Sequence, residues 1–306
     1  MSAPRRNPWP LALAALAAAL AAWTLVPLFL KALVQDIDPW TANASRYFFS
    51  VTFWLPFLLR DLHRLPPAER RRIFALALPP ALAHMLCQIS YGASPYFNSA
   101  TMINFGARLS IPFATLFGFF WLARERPLVR SPLFWTGSLV AVGGFFLFFS
   151  RGFSLEGVTS PFGMFLLLGY SVGWALYIVL VRRNLSAWPS HLGYAVVSVY
   201  VAAAMLLVWP VLGRPSCLLA LPAKSWLILV LSAYVGLAWS HVLYYRAIRV
   251  IGPVASEASM LLLPFLTALL AHRLFGDTLL PSQWISGIVM LLGCALILLA
   301  RFRLPD

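Results

Sequence analysis

Apolar residues run along this chain in stretches of about twenty, broken by short segments where arginine, proline and glycine gather. A bilayer core of roughly 30 Å needs about 20 apolar residues per helix, so the pattern predicts membrane-spanning helices. Such runs fall near 9–34, 40–59, 73–94, 98–122, 132–150, 162–181, 191–212, 225–245, 253–272 and 282–300. The expected fold is an all-α integral membrane protein with ten transmembrane helices in a single domain, 1–306.

The polar positions between the runs set an orientation. Cytoplasmic loops retain Lys and Arg. With the N-terminus inside, the inner connections hold sixteen cations: Arg5, Arg6, Arg60, Arg64, Arg70, Arg71, Arg72, Arg124, Arg126, Arg130, Arg182, Arg183, Arg246, Arg249, Arg301 and Arg303. The outer ones hold five, Lys31, Arg151, Arg214, Lys224 and Arg273, while Arg46 and Arg108 fall within spans. Both termini are therefore expected in the cytoplasm, in an inner (plasma) membrane.

Composition supports the membrane reading: 61% of the residues are hydrophobic and 10% charged, with a mean hydropathy of +0.83. No soluble domain of this length has an interior that hides so much apolar surface. A net charge of +14 raises nucleic acid as a partner, but the cations cluster between apolar runs rather than along one face. The lipid bilayer is the expected partner instead. The cysteines Cys87, Cys217 and Cys294 show no zinc or redox spacing, so neither a metal site nor a disulfide framework is expected. The first run resembles a secretory signal, but the repeat described next makes it a structural element.

"WTLVPLFLK" (23–31) returns 151 residues later as "WALYIVLVR" (174–182), each with a tryptophan eight positions before a cation. "PFATLFGFFWLARE" (112–125) aligns without a gap to "PFLTALLAHRLFGD" (264–277), and Gly137 and Gly143 match Gly287 and Gly293. A five-span half is odd in number, so its second copy enters from the opposite face. Two inverted repeats are expected, about 9–150 and about 162–300, with a site near the midplane between them, as in secondary transporters.

Several of these residues carry a resemblance. The Trp23 to Lys31 segment, Pro39 followed by "RYFF" at Arg46, "GWALYIVLVRR" (173–183) and the closing block from 244 to 299, with Pro264, Asp277 and Gln283, are similar to the ten-helix EamA-type members of the drug/metabolite transporter superfamily. The resemblance spans nearly the whole chain. It implies a carrier of small metabolites, including amino acids and their derivatives. The aromatic amino-acid exporter branch is one comparison within the family, and no quoted motif separates it from its relatives.

Among the residues themselves, Arg108 lies about ten positions into its span, roughly 15 Å deep, too far to snorkel. An intramembrane ion marks a pathway by default, and Arg108 is expected to bind a carboxylate. The alternative is a structural pairing with Glu257 or with carbonyls freed by Pro112. Arg46, about six residues or roughly 9 Å into its span, is able to reach the outer headgroups and is expected to pack or to anchor at that interface rather than to meet substrate; Lys31 and Arg182 are expected to mark opposite membrane faces. Trp23 and Trp174 are repeat mates near mid-depth, expected to line the cavity; an interface belt is the other reading. Pro27, His84, Gln88, Tyr91, Asn104, Tyr177 and His241 complete the expected substrate-binding set. Glu257 and His84 are candidates for proton coupling, although a first-turn carboxylate paired with Arg246 or Arg249 explains Glu257 equally, and an interhelical hydrogen bond explains a lone histidine. Pro112 and Pro264 are expected hinges of the gates.

The expected function is export of amino acids or related carboxylate-bearing solutes through a central cavity by alternating access, without a cofactor. A multidrug exporter of organic cations and a non-transporting membrane scaffold are the alternatives. Enzyme chemistry has no visible support, since no paired acids, activated nucleophile or metal cluster stands out. An internal pseudo-dimer makes a monomer sufficient and leaves a dimer open.

Overall fold

The computed structural model describes residues 9–150, 161–252, 256–257 and 259–303. Arg5, Arg6 and Arg151, which entered the orientation count, lie outside them, as does the start of the ninth expected span. Helices are α1 (Trp9–Leu33), α2 (Pro39–Arg64), α3 (Pro67–Ala93), α4 (Ala100–Gly106), α5 (Ser110–Trp121), α6 (Pro132–Ser150), α7 (Pro161–Leu185), α8 (Ser190–Leu212), α9 (Ala223–Ala233), α10 (Ser240–Ile251), α11 (Leu263–Phe275) and α12 (Pro281–Phe302). No strand occurs among the described residues.

Seven helical stretches among the described residues are long and apolar enough to cross a membrane: Trp9–Leu33, Pro67–Tyr96, Ala100–Trp121, Pro161–Leu185, Ser190–Leu212, Ala223–Ile251 and Pro281–Ala300. Pro132–Phe148 and Met260–Phe275 are apolar but shorter. The twenty-six residues of α2 are long enough but more polar. The outer surface is apolar where it is most exposed, for instance Leu207 at 78% and Val211 at 80%, a surface suited to lipid and not to water.

Local chemistry explains the ends and breaks. Asp38 caps α2 by accepting from the backbone N–H groups of Trp40 (3.0 Å) and Thr41 (2.9 Å), as an N-cap carboxylate should. Gly276 ends α11 in the left-handed region at φ 69°, a conformation glycine takes without strain.

Proline removes the N–H that would reach the carbonyl four residues back, and three of the released carbonyls find other donors. Pro80 leaves Leu76, which accepts from Asn184 Nδ2 at 3.0 Å. Pro112 leaves Arg108, whose carbonyl lies 3.6 Å from Cys294 Sγ. Pro264 leaves Met260, which accepts from Leu263 N–H in a 3-10 turn and from Arg108 Nη1 at 3.2 Å. The chain tightens to 3-10 geometry just before both of the last two prolines, at Ala107–Leu109 and Met260–Leu262.

Between α9 and α10 the rod loosens instead, into a π-helical segment, Tyr234–Trp239. Its altered hydrogen-bond spacing turns carbonyls outward, and two tryptophans use them. Trp23 Nε1 donates to Gly236 at 3.2 Å and Trp54 Nε1 to Ala238 at 3.0 Å.

Packing follows small residues. α6 lies along α12, α3 along α7, α2 along α8, and α1 along α10. A Cβ on Gly173 would stand 2.7 Å from Cys87 N, and one on Gly137 2.7 Å from Gly293 O. Such contacts let helix backbones touch.

Candidate substrate cavity

Five helices bring polar side chains to one central cavity. It is lined by Trp23 and Val26 from α1, Arg46 from α2, Gln88 and Tyr91 from α3, Asn104 from α4, and Arg108 from the 3-10 turn that follows. Tyr170 and Trp174 of α7, Gly236 and Leu237 of the π segment, His241 of α10, Met260 and Leu263 close it. Helical spacing does the local work: Trp23/Val26, Gln88/Tyr91, Asn104/Arg108, Tyr170/Trp174 and Leu237/His241 are three or four apart and share faces. The volume is about 40 Å³, room for about two or three waters. A metabolite fits only after the walls part.

Seven of the ten residues expected to bind substrate line this cavity: Trp23, Gln88, Tyr91, Asn104, Arg108, Trp174 and His241. Pro27, His84 and Tyr177 do not. Pro27 is buried within α1. His84 and Tyr177 sit behind the cavity, their rings stacked at 4.1 Å. His84 Nε2 is 2.7 Å from Tyr47 Oη, and Tyr177 donates to Tyr245 Oη at 2.9 Å. With Tyr194, 5.1 Å from His241, they form a dense aromatic layer beneath it.

Trp23 and Trp174 meet edge to face, centroids 5.2 Å apart at 85°. Trp23 also packs on His241 (5.3 Å) and Tyr244 (4.8 Å). Such geometry sets the positive ring edge against the neighbouring π face.

Of the two roles expected for Arg46, packing and interface anchoring, the structure shows the buried one. It is fully buried and lines the cavity, so it does not anchor at the outer headgroups. Helical rise gives depth but not direction, and the face of α2 that carries Arg46 turns inward. Its Nη1 lies 3.4 Å from Asn43 Oδ1, its Nε has no partner, and Asn43 in turn donates to the Gln88 carbonyl at 2.9 Å. Tyr170, Val26, Met260 and Leu263 of the lining also carried no sequence signal as site residues. Arg108 is 2% exposed and donates to the carbonyls of Asn104 and Met260, each at 3.2 Å. Ion pairs among the described residues are Arg60–Asp61, Arg72–Glu69 and His191–Asp61. The expected alternative pairing of Arg108 with Glu257 is therefore not formed.

Glu257 pairs with neither Arg246 nor Arg249. Arg249 Nη1 donates to the Trp188 carbonyl at 2.9 Å, and Arg246 is exposed. The buried carboxylate accepts instead from Trp174 Nε1 at 3.0 Å, Ser110 Oγ at 2.9 Å and Tyr244 Oη. One cavity wall, Trp174, is thus fastened to it.

The cations of the repeated motif cap helix ends. Lys31 Nζ donates to the carbonyls of Pro95 (3.0 Å) and Asn98 (3.5 Å), just past α3. Arg182 Nη1 donates to those of Ile248 (3.2 Å) and Arg249 (2.6 Å), at the end of α10. A cation there meets unsatisfied carbonyls and the negative end of the helix dipole. Substituting either with methionine is expected to lower stability by about 1–2 kcal/mol. Thermal unfolding in detergent, read as loss of the monodisperse peak, measures it.

With this geometry in place, relatives become informative. Residues 161–299 match the EamA-like transporter family. That EamA-like segment contributes Tyr170, Trp174, His241 and Met260 to the cavity. Over more of the chain, the sequence is 23% identical across 278 residues to the uncharacterized inner membrane transporter YedA of Escherichia coli K12, covering 89% of this chain and 85% of the relative. The YedA of Escherichia coli O157:H7 matches to the same extent. A protein of known crystal structure shares the fold at TM-score 0.64 and 16% identity, covering 96% of this chain and 99% of its own. The long apolar helices and these membrane relatives agree on a multi-pass membrane protein.

Proposed function

We propose that the whole chain is an EamA-type carrier that exports small carboxylate-bearing metabolites, amino acids or their relatives, by alternating access through the central cavity. Ten spans in two inverted five-helix halves, both termini cytoplasmic, frame this reading. The pairing of helices supports the inversion: α1 lies against α10 as α3 lies against α7, and Lys31 caps α3 as Arg182 caps α10.

The observation that carries the proposal is Arg108. It is buried and lines a cavity walled by Trp23 and Trp174, without a carboxylate partner among the described residues. A guanidinium there recognises an anion with planar, charge-assisted hydrogen bonds. Export of organic cations calls for a carboxylate in the lining, and the cavity presents two arginines instead.

A flux panel in proteoliposomes tests the reading, with labelled amino acids, other carboxylates, nucleosides, sugars and quaternary amines, with and without a pH gradient. Carboxylate solutes are expected to move and quaternary amines to stay. Arg108→Gln is expected to slow carboxylate flux about ten- to a hundredfold while sparing an amide analogue. Equal loss for both returns Arg108 to a structural role.

A further inference from the structure

We propose that the cargo carries net negative charge, an organic acid without an ammonium group, held between Arg46 and Arg108. This rests on the carrier reading above and narrows it. Both guanidiniums line the same cavity and are buried, Arg46 at 0% and Arg108 at 2% exposure. Among the described residues, no Asp or Glu lines it.

The nearby carboxylate, Glu257, is sealed behind Trp174, with its oxygens engaged by Trp174, Tyr244 and Ser110. It does not line the cavity and forms no ion pair with either arginine. Arg46 keeps an unpartnered Nε and a single long contact to Asn43, and Arg108 is held by carbonyls alone. Two buried cations without a facing anion are costly to hold. An anionic cargo relieves that cost.

A zwitterion relieves it less. Its carboxylate satisfies one guanidinium, but its ammonium enters a chamber already cationic. Of the lining side chains, Gln88 Oε1 and His241 Nε2 are unpartnered and able to accept. His241 Nδ1 lies 3.1 Å from the Leu237 carbonyl, and donating there leaves Nε2 as the acceptor. Both groups are neutral and balance no charge. They suit a hydroxyl or a bound water better than an ammonium. The aromatic walls, Trp23, Tyr91, Tyr170 and Trp174, favour a flat or apolar body.

Matched solutes decide the matter on the unmodified protein. Binding is read by intrinsic tryptophan fluorescence of the purified chain and flux by proteoliposome uptake, for 3-phenylpropionate against phenylalanine and for 4-methylpentanoate against leucine. The acid lacking the ammonium is expected to bind at least tenfold tighter in one pair or both. Arg46→Gln is expected to weaken that acid about ten- to a hundredfold, with Arg46→Lys restoring part of it, in variants whose unfolding temperature matches the parent. Amino acids bound as tightly as their des-amino partners overturn this inference and leave the carrier reading standing. An unchanged affinity in folded Arg46→Gln overturns it as well. If neither acids nor amino acids bind or move, the carrier reading falls with it.

Discussion

Replacing Glu257 by alanine is expected to leave no folded protein to recover from the membrane, whereas Glu257→Gln folds. The carboxylate is fully buried and joins three segments distant in sequence: Trp174 in α7, Tyr244 in α10, and Ser110 at the start of α5. Alanine strands all three donors. Each buried, unsatisfied polar group costs about 1–3 kcal/mol, a sum comparable with the about 5–15 kcal/mol that holds an ordinary domain together.

Glutamine behaves differently for a geometric reason. Oε1 accepts from both Trp174 and Tyr244, while Oε2 accepts from Ser110 alone. An amide oxygen in the first position keeps the indole bond, and an amide nitrogen in the second donates to the serine hydroxyl, which is able to accept. The fold is expected to lose about 1–2 kcal/mol, measured by thermal unfolding of the solubilised monomer. Equal recovery of the Ala and Gln variants would remove Glu257 from this structural role. The Gln variant also tests proton coupling, because it has no carboxylate to titrate. Uptake that still responds to a pH gradient in Glu257→Gln dismisses Glu257 as the carrier of that proton and leaves His84, 2.7 Å from Tyr47 Oη, as the candidate behind the cavity.

Much of the helical frame was legible because a run of about twenty apolar residues has few other uses. Trp9–Leu33 and Ser190–Leu212 fall within a residue or so of their expected spans. The more polar α2 is harder to read. Its expected span, 40–59, stops short of Arg64, where the helix ends, because the arginines and Asp61 mask helix that continues past the apolar run. Trp23 and Trp174 were legible as a pair because their spacing repeats, and the structure places their rings in contact. Arg46 stayed undecided between packing and interface anchoring because the pattern around it, "NASRYFFS", has no clean apolar face from which to tell inward from outward. The partners of Glu257 were beyond reach for another reason: they lie 83, 13 and 147 residues away. A carboxylate in a first turn looks the same whether an arginine or three neutral donors attend it.

Gly293→Leu is expected to separate α6 from α12 and to deplete folded protein as severely as Glu257→Ala. Among the described residues these two helices form the most extensive pairing, and they touch through glycines. A Cβ at Gly293 would lie 2.3 Å from Ala141 N and 2.7 Å from the Gly137 carbonyl. Both obstacles are backbone, so no side chain can swing away, and the helices must move apart along their length. The seam buries Phe134, Ala141, Cys294, Ile297 and Leu298, all of which lose packing when it opens. Overpacking of this kind costs about 1–3 kcal/mol where a core yields, and more where two backbones must separate. Gly143 supplies the control on the same seam's sequence, since a Cβ there meets nothing within 4 Å. Gly143→Ala is expected to unfold at the parent temperature or slightly above, because alanine favours helix over glycine by about 1 kcal/mol. Fluorescence-detected size exclusion after a heat ramp measures both variants, and a Gly293→Leu protein as stable as Gly143→Ala would show that α6 and α12 do not approach so closely.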